Sequence, residues 1–304
     1  MAGPGPTPPG AAPGRSLLPL ALLCLAACSG GGAEPFPEGA HRVQDRALAE
    51  MSGLVASHRQ PGVLWSINDS GSFARLYRLG SEGQALGRVW VSGAWLHDTE
   101  TLARWRQRER DWLLIGDVGD NRARRDHVVV HAVPEPDAQA THARIAWSLR
   151  FRYPDGARDA EGIAVDQASG DLLVLSKRDQ PARLYRVPLA AAGSAPATAE
   201  YLGSPRSGSI EGAVTGLDLS EDGRELAVLT YSGLYLWRRA DGEHWSQVLQ
   251  RDPAVLARPA MRKAEAMALS PTPGTVLVGS EKRPTPLWVG RYSDAGAGGM
   301  TAAP

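Results

Sequence analysis

Cysteine is almost absent from this chain. Among its 304 residues the only two are Cys24 and Cys28, both close to the N-terminus. A domain that begins after them holds neither a disulfide nor a thiolate. Long apolar runs are also missing, because LLPLALLCLAAC is shorter than the roughly 20 residues that span a bilayer. The formal net charge is zero, which gives no bulk attraction to nucleic acid or to an anionic membrane.

The common catalytic motifs are missing as well. The sequence has no GxSxG nucleophile elbow, no HExxH zinc helix and no phosphate-binding glycine loop. Its seven histidines are scattered without the spacing of metal ligands, and only His97 is expected near a functional rim. No stretch keeps helical periodicity over three turns. These absences favour an all-β protein without a familiar catalytic set.

The N-terminal segment is typical of an export signal. Residues 1–28 place Arg15 before the apolar run and end in Leu25-Ala26-Ala27-Cys28. This ending resembles the lipobox of bacterial lipoproteins, in which the cysteine is lipidated and becomes the new N-terminus. The alternative is an ordinary signal peptide with a fortuitous Cys28. We expect an extracytoplasmic, membrane-anchored lipoprotein, on the periplasmic or cell-surface side.

A repeated opening pattern organises the rest of the chain. A small or acidic residue is followed by Gly, Ala or Thr and then by Leu, Ile or Met. The pattern begins at Ser52, Glu100, Glu161, Thr215 and Glu265. These intervals of 48 to 61 residues are typical of propeller blades. The pattern predicts a flexible tether at 29–40, a single β-propeller at 41–292 with five four-stranded blades, and a disordered tail at 293–304. Six blades are the alternative.

The two ends of the predicted domain complement each other. The segment 41–49 belongs to no blade, and the last blade shows only three strand-like runs, so we expect an N-terminal strand to close the ring. Fourth strands are predicted at 143–151 in the second blade and at 245–250 in the fourth. We expect the recurring aromatic residues to fill the gaps between blades, with a ligand cage as the alternative. They are Tyr77, Tyr185, Tyr235, Trp237 and Trp288.

Topology predicts where a site would lie. In an antiparallel blade the start of the first strand lies beside the end of the second, so these positions converge on one rim of the central channel. The chain has only three lysines, and Lys177, Lys263 and Lys282 all fall at this rim. An ammonium binds an anion as a point charge, which favours a ligand there. The predicted ligand-binding residues are Glu100, Glu161, Glu265, Lys177, Arg178, Lys282, Arg283, Asn68 and Asp69.

A calcium ion is a second prediction for this rim. Carboxylate and amide oxygens are the ligands that Ca²⁺ prefers. The candidate donors are Asp117, Asp120, Asn121 and Glu161. The alternative is that these acids pair with rim cations and that Asp and Asn build turns.

Several motifs carry a resemblance to known propellers. SGLVAS, INDSG, GDVGDN, DAEGIAVD and VTGLDLSEDG together resemble a group of bacterial extracytoplasmic lipoprotein propellers of poorly defined function. More distantly, the chain is similar to gluconolactonase-type and phytase-like esterase propellers. That similarity implies a cation held by a Glu, an Asn and an Asp, which activates water against a lactone or a phosphate ester. The matching residues are Glu161 or Glu100, Asn121 or Asn68, and Asp117 or Asp120.

Two functions therefore stand at the level of sequence. The first is a lipid-anchored propeller that binds a small anionic ligand or an envelope protein at its charged rim. The second is a Ca²⁺-dependent hydrolase, a lactonase or a phosphoesterase. Ser52 and Thr215 replace the first-strand acid in two blades, which leaves the metal set incomplete there. We expect a monomer, and no nucleic-acid partner.

Overall fold

Short apolar runs separated by polar turns form antiparallel strands along the whole chain. In the computed structural model the described residues are 1–5, 35–69, 74–193, 195–293 and 301–302. Cys28 and most of the predicted signal and tether lie outside these residues. Within the described ranges, no helix has the length and apolar character needed to cross a membrane. The strands between residues 40 and 302 form five sheets.

Each sheet takes most of its strands from one repeat, and short strands from elsewhere in the chain are added to the sheets of blades 1, 2 and 5. Strand β1 (Ala40–Arg42) precedes the repeats. Blade 1 contains β2 (Met51–Ala56), β3 (Val63–Asn68), β4 (Arg75–Gly80) and β5 (Ala85–Ser92). Blade 2 contains β6 (Thr101–Gln107), β7 (Arg110–Asp117) and β8 (Val128–Pro134); after β9 (His142–Arg144) it continues with β10 (Trp147–Arg152).

The remaining blades follow the same inner-to-outer order. Blade 3 contains β11 (Ala160–Asp166), β12 (Asp171–Ser176) and β13 (Leu184–Pro188); after a 3-10 turn (Leu189–Ala191) and β14 (Ala197–Thr198) it ends with β15 (Glu200–Gly203). Blade 4 contains β16 (Val214–Leu219), β17 (Glu225–Thr230) and β18 (Leu234–Arg238); helix α1 (Trp245–Val248) precedes its outer strand β19 (Ala254–Leu256). Blade 5 contains β20 (Ala264–Leu269), β21 (Thr275–Ser280) and β22 (Pro286–Arg291).

The five first strands surround a central channel. Strand β2 packs against β6 and β20, β11 packs against β6 and β16, and β16 packs against β20, which closes the ring. The prediction of a five-bladed β-propeller is therefore confirmed. Strand β1 pairs antiparallel with β22, and His41 lies opposite Leu287. The predicted N-terminal closure is thus confirmed, although the closing strand covers only Ala40–Arg42.

Apolar side chains fill the spaces between neighbouring blades. Each of five buried clusters draws its residues from two adjacent sheets. The predicted position of the aromatic residues between blades is confirmed, because Tyr185 packs between blades 2 and 3 and Trp288 between blades 4 and 5. Tight contacts between inner strands require glycine, since a Cβ added to Gly53 would lie 2.7 Å from the backbone N of Leu102.

Two predicted outer strands are wrong in part. The segment 245–250 contains helix α1, because Trp245 and Val248, three residues apart, both bury their side chains. The outer strand of blade 4 is Ala254–Leu256 instead. The segment 143–151 is divided, because His142–Arg144 joins blade 1 in parallel beside β5, whereas Trp147–Arg152 completes blade 2.

Parallel pairing across blades recurs once more. Strand β14 (Ala197–Thr198) pairs in parallel with β10 of the preceding blade. Of the predicted tail, the structure describes residue 293 and strand β23 (Thr301–Ala302), which pairs with β22. The parallel pairs β5–β9 and β10–β14 join successive blades along their outer edges.

Candidate functional site: the channel mouth

A register shift turns one residue of most first strands toward the channel. In blades 1, 3, 4 and 5 the pairing of the first two strands skips one position near the start of the first strand. In blade 2, Glu100 occupies the equivalent position, and its backbone N donates to Gly116 O over 3.0 Å. Such bulges re-aim a side chain beside functional sites. The five equivalent residues are Ser52, Glu100, Glu161, Thr215 and Glu265.

A second set of residues follows the second strands. In every blade a backbone N–H of this set donates to a carbonyl just before the first strand, at 2.8 to 3.2 Å. The residues of the set are Asp69, Gly119, Lys177, Tyr231 and Glu281. The same backbone geometry thus places four different side chains, and the backbone of Gly119, around one opening. We call the two sets together, with Asp98, the mouth cluster.

The two positions without an acid have a structural role. Ser52 Oγ donates to Thr99 O of the next blade over 3.5 Å. Thr215 Oγ1 likewise donates to Ala264 O of the next blade over 2.7 Å. These hydroxyls connect neighbouring inner strands. The remaining three positions of this set are the glutamates.

A buried ion pair lies inside the mouth. Lys177 Nζ donates to Glu161 Oε1, and both side chains are buried. The Tyr231 hydroxyl donates to Glu265 Oε1, and the Lys177 ammonium lies 5.6 Å from the centre of the Tyr231 ring. At the edge of the mouth, Lys263 Nζ donates to Glu281 Oε2 over 2.5 Å. Tyr231 is 39% exposed, so its side chain forms part of the solvent-facing surface of the mouth.

Three carboxylates from blades 1 and 2 converge on the other side of the mouth. One oxygen each of Asp69, Asp98 and Glu100 lies within 4.8 Å of the other two. Asp69 and Asp98 are half-buried, whereas Glu100 is only 5% exposed. The mouth thus brings three carboxyl groups together at a place where little water can screen their interactions.

Burial and mutual repulsion perturb these groups. Burial, together with the charges of Glu161, Asp69 and Asp98, raises the pKa of Glu100 to about 10. Burial also raises the pKa of Glu161 to about 7, although the Lys177 ammonium counteracts it. For Lys177 itself burial lowers the pKa, but attraction by Glu161, Glu100 and Glu265 outweighs burial and raises it. The mouth thus holds the Lys177 ammonium among several acids that resist ionisation.

Glu265 behaves in the same way on the blade 5 side. Burial and the neighbouring Glu281 carboxylate raise the pKa of Glu265 to about 8. Glu265 therefore holds a proton more readily than Glu281 does, and such perturbed acids are characteristic of functional sites.

The GDVGDN loop, residues 116–121, contacts this cluster and holds it in place. Asp117 accepts hydrogen bonds from the backbone N of His97 at 2.8 Å and of Asp98 at 3.1 Å, and it pairs with Arg125 at 2.8 Å. A Cβ added to Gly119 would lie 2.5 Å from Asp98 Oδ2 and 2.8 Å from Glu100 Oε1. Gly119 therefore leaves the space that two of the three carboxylates occupy.

The four residues predicted to bind calcium do not form one group. Asp120 accepts from the backbone N of Arg124 at 2.7 Å and of Arg125 at 2.8 Å. Asn121 Oδ1 accepts from the Arg178 guanidinium. Asp117 holds the loop and Glu161 pairs with Lys177. Each of these oxygens thus has a partner within the protein.

The other predicted rim residues have mixed positions. Arg178 bridges Asn121 and Asp159, with Nε 2.6 Å from Asp159 Oδ2. Asn68 is buried and donates to Ala47 O at 2.8 Å. Lys282 is half-buried and Arg283 is exposed on the loop after Glu281. The structure brings Glu100, Glu161, Glu265, Lys177 and Asp69 together at the opening, while the remaining residues support it or flank it.

Sequence reasoning missed two members of the site. Asp98 is absent from the predicted ligand-binding and metal-binding residues, although it lies beside Asp69 and Glu100 in the structure. Its alternation with Glu100 in the run His97-Asp98-Thr99-Glu100 was the available signal. Gly119 was not singled out, because nothing in a single sequence shows which glycine lies beneath a carboxylate.

Comparison with known proteins supports the fold and leaves the family open. No protein-family model matches the chain, and no curated protein matches it. The chain is similar to the structure of the major allergen Mala s 1 of Malassezia sympodialis, at 14% identity over 89% of this chain and 83% of that chain, with a TM-score of 0.51. It also aligns with hydrazine synthase of Kuenenia stuttgartiensis, at 9% identity over 80% and 72%, with a TM-score of 0.42.

The likeness to the Mala s 1 structure supports a distant similarity in fold and nothing more specific. The resemblance to lipoprotein, gluconolactonase-type and phytase-like propellers stays a prediction.

Proposed function

We propose that this protein is an extracytoplasmic, lipid-anchored β-propeller that binds a small ligand in its channel mouth. One observation carries the proposal. Bulged inner strands turn acidic side chains into a confined opening, where burial raises the pKa of Glu161 to about 7 and of Glu265 to about 8. Grouping such acids opposes folding, and this is the pattern expected of a binding site rather than of a scaffold.

The chemistry of the mouth indicates a polar ligand. Lys177 places an ammonium among Glu100, Glu161 and Glu265, and Tyr231 offers an aromatic face beside it. Buried charged groups are weakly screened by salt, so a complementary ligand gains more here than at the outer surface.

A retention experiment tests the binding function. The mature protein is incubated with a small-molecule extract from the organism that encodes it, and retained compounds are identified by mass spectrometry. The double variant Glu161→Gln, Lys177→Met removes the ion pair without leaving one charge unpaired. The matched control, Arg224→Gln, disrupts the exposed Arg224–Asp241 pair of blade 4. We expect wild type and control to retain a compound that the double variant loses; equal retention by all three contradicts the proposal.

A second candidate is a Ca²⁺-dependent lactonase or phosphoesterase. The observation that favours it is the proximity of Glu161, Lys177 and Tyr231, which supply proton-accepting and proton-donating groups in one buried opening. Turnover of lactone and phosphate-ester panels in millimolar calcium discriminates the two functions. The hydrolase requires turnover by wild type that Glu161→Gln loses, whereas the binding function requires no turnover by either protein.

The anchor has its own test. The pattern Leu25-Ala26-Ala27-Cys28 supports lipidation of Cys28. Cys28→Ser is expected to release the protein from the membrane fraction while the mouth keeps its ligand. Membrane retention of the Cys28→Ser protein contradicts the anchor and leaves the binding function standing.

A further inference from the structure

We propose that Asp69, Asp98 and Glu100 bind one divalent cation of the calcium class at the channel mouth. The inference rests on the proposed function, since it gives the same mouth a metal ion. Two oxygens on one calcium ion lie at most about 5 Å apart, because each Ca–O distance is about 2.3–2.6 Å. The three carboxylates satisfy this limit, with one oxygen of each within 4.8 Å of the others.

Glu100 provides an independent argument. Its residue surface is only 5% exposed, and among the described residues no side chain or backbone N–H donates a hydrogen bond to its carboxylate. A buried carboxylate without a donor is strongly unfavourable, and proteins normally pair such groups or bind a metal with them. One oxygen of the Glu100 carboxylate lies within 4.8 Å of an oxygen of Asp69 and of Asp98, so a cation between them would supply the partner that Glu100 lacks.

The carboxylates are also held in place before a cation arrives. The backbone of Asp98 is anchored through its N–H to Asp117 Oδ1 at 3.1 Å, and its carbonyl accepts from Gly119 N at 3.2 Å. The backbone N of Asp69 donates to Glu50 O at 2.8 Å. Gly119 leaves the space that the Asp98 and Glu100 carboxylates fill. Ligands fixed by supporting hydrogen bonds lose little freedom on binding a metal.

The donor set indicates which cation and what the cation would bind. All three donors are hard carboxylate oxygens, which suit Ca²⁺ or Mg²⁺ rather than soft metals. Calcium takes about six to eight oxygen ligands, so three protein carboxylates leave positions for water or for a ligand. These positions would face Lys177, whose ammonium interacts with Glu100 across the mouth. A bound cation would therefore convert an acidic opening into a site for an anionic or carbonyl-bearing ligand.

Calorimetry and thermal unfolding of the chelator-treated full mature protein test this proposal. The probes are CaCl₂ and MgCl₂ alone, on wild type, Glu100→Gln and Glu265→Gln. Glu265 is the matched control, because it is a buried mouth glutamate that hydrogen-bonds to Tyr231 outside the three carboxylates. We expect one ion per wild-type chain, and a loss of affinity of at least about tenfold in Glu100→Gln. Glu265→Gln should bind within about threefold of wild type, because it removes no donor.

The sign of the stability changes separates a metal ligand from a structural residue. Without metal, Glu100→Gln should unfold at no lower temperature than wild type, because the amide replaces a buried carboxyl group to which no described group donates a hydrogen bond. With calcium, only wild type and Glu265→Gln should shift upward. Identical melting of wild type with and without both cations overturns the proposal, and so does equal binding by Glu100→Gln. If small-molecule retention still depends on Glu161 and Lys177 in that case, the metal site fails while the binding function stands.

Discussion

The Cα of Gly119 lies directly against the carboxylate of Asp98, so that an added Cβ would be 2.5 Å from Asp98 Oδ2. Gly119→Ala must therefore displace Asp98, Glu100 or the loop. We expect it to lower calcium affinity by about tenfold or more, because the donors lose their common centre. Calorimetric titration measures the change.

Gly193→Ala is the matched control for this substitution. The nearest atom to an added Cβ at Gly193 is Ala191 O at 3.9 Å, so the methyl group is accommodated. Calcium affinity equal to wild type in both alanine variants would show that Gly119 does not position the carboxylates.

The ion pair between Glu161 and Lys177 gives a second prediction. Lys177→Met leaves Glu161 buried without its cation and should lower the free energy of unfolding by about 3 kcal/mol. Adding Glu161→Gln should restore most of this loss, because the remaining carboxylate charge is removed. Urea unfolding of both variants measures the difference. A double variant that is less stable than Lys177→Met would indicate that the pair contributes more than mutual neutralisation.

His58 predicts how stability depends on pH. Its imidazole is buried, and Nδ1 lies 3.4 Å from Asp111 Oδ1 without hydrogen-bond geometry. Burial and the positive charges of Arg104 and Arg106 lower the pKa of His58 to about 4, although Glu221 and Asp111 oppose the shift. The fold thus favours the neutral ring. Its contribution is fully present above pH 6.5 and is lost as the pH falls toward 4, by about 3 kcal/mol.

Equilibrium unfolding between pH 7.5 and 4 tests this prediction. His58→Gln should flatten that part of the profile, because a glutamine does not titrate. His142→Gln, on an exposed strand residue, should leave it unchanged. Parallel profiles for wild type and His58→Gln would show that other groups cause the acid sensitivity.

Ring closure gives a fourth prediction. Strand β1 covers the edge of β22, and Thr285 Oγ1 also donates to Leu48 O over 2.8 Å. Removing residues 1–42 exposes the unpaired edge of β22, so we expect a lower melting temperature and concentration-dependent association. Removing residues 1–34 should change neither property. Light scattering and thermal unfolding compare the two truncations, and equal behaviour would contradict closure by β1.

The repeat pattern predicted the blades because a similar buried first strand recurs once per sheet. It also predicted the rim, since Glu100, Glu161 and Glu265 open equivalent strands. The register shift that aims Glu161 into the channel leaves no residue-type signal and follows from how Ala160 and Gly162 pair with their neighbours. For the same reason the sequence favoured Asp117 as a ligand, whereas its carboxylate instead holds the loop that carries Asp98.

The short helix shows a different limit. The segment 245–250 has apolar residues at Trp245, Val248 and Leu249, which is the spacing of a helix rather than the alternation of a strand, but it covers little more than one turn. Over one turn the two periodicities cannot be separated from sequence alone.

Anomalous diffraction from crystals grown with calcium tests whether the channel mouth holds a metal ion. We expect one peak bounded by Asp69, Asp98 and Glu100, with carboxylate oxygens at about 2.3–2.6 Å. A map in which these three carboxylates surround no anomalous scatterer at saturating calcium would contradict this expectation.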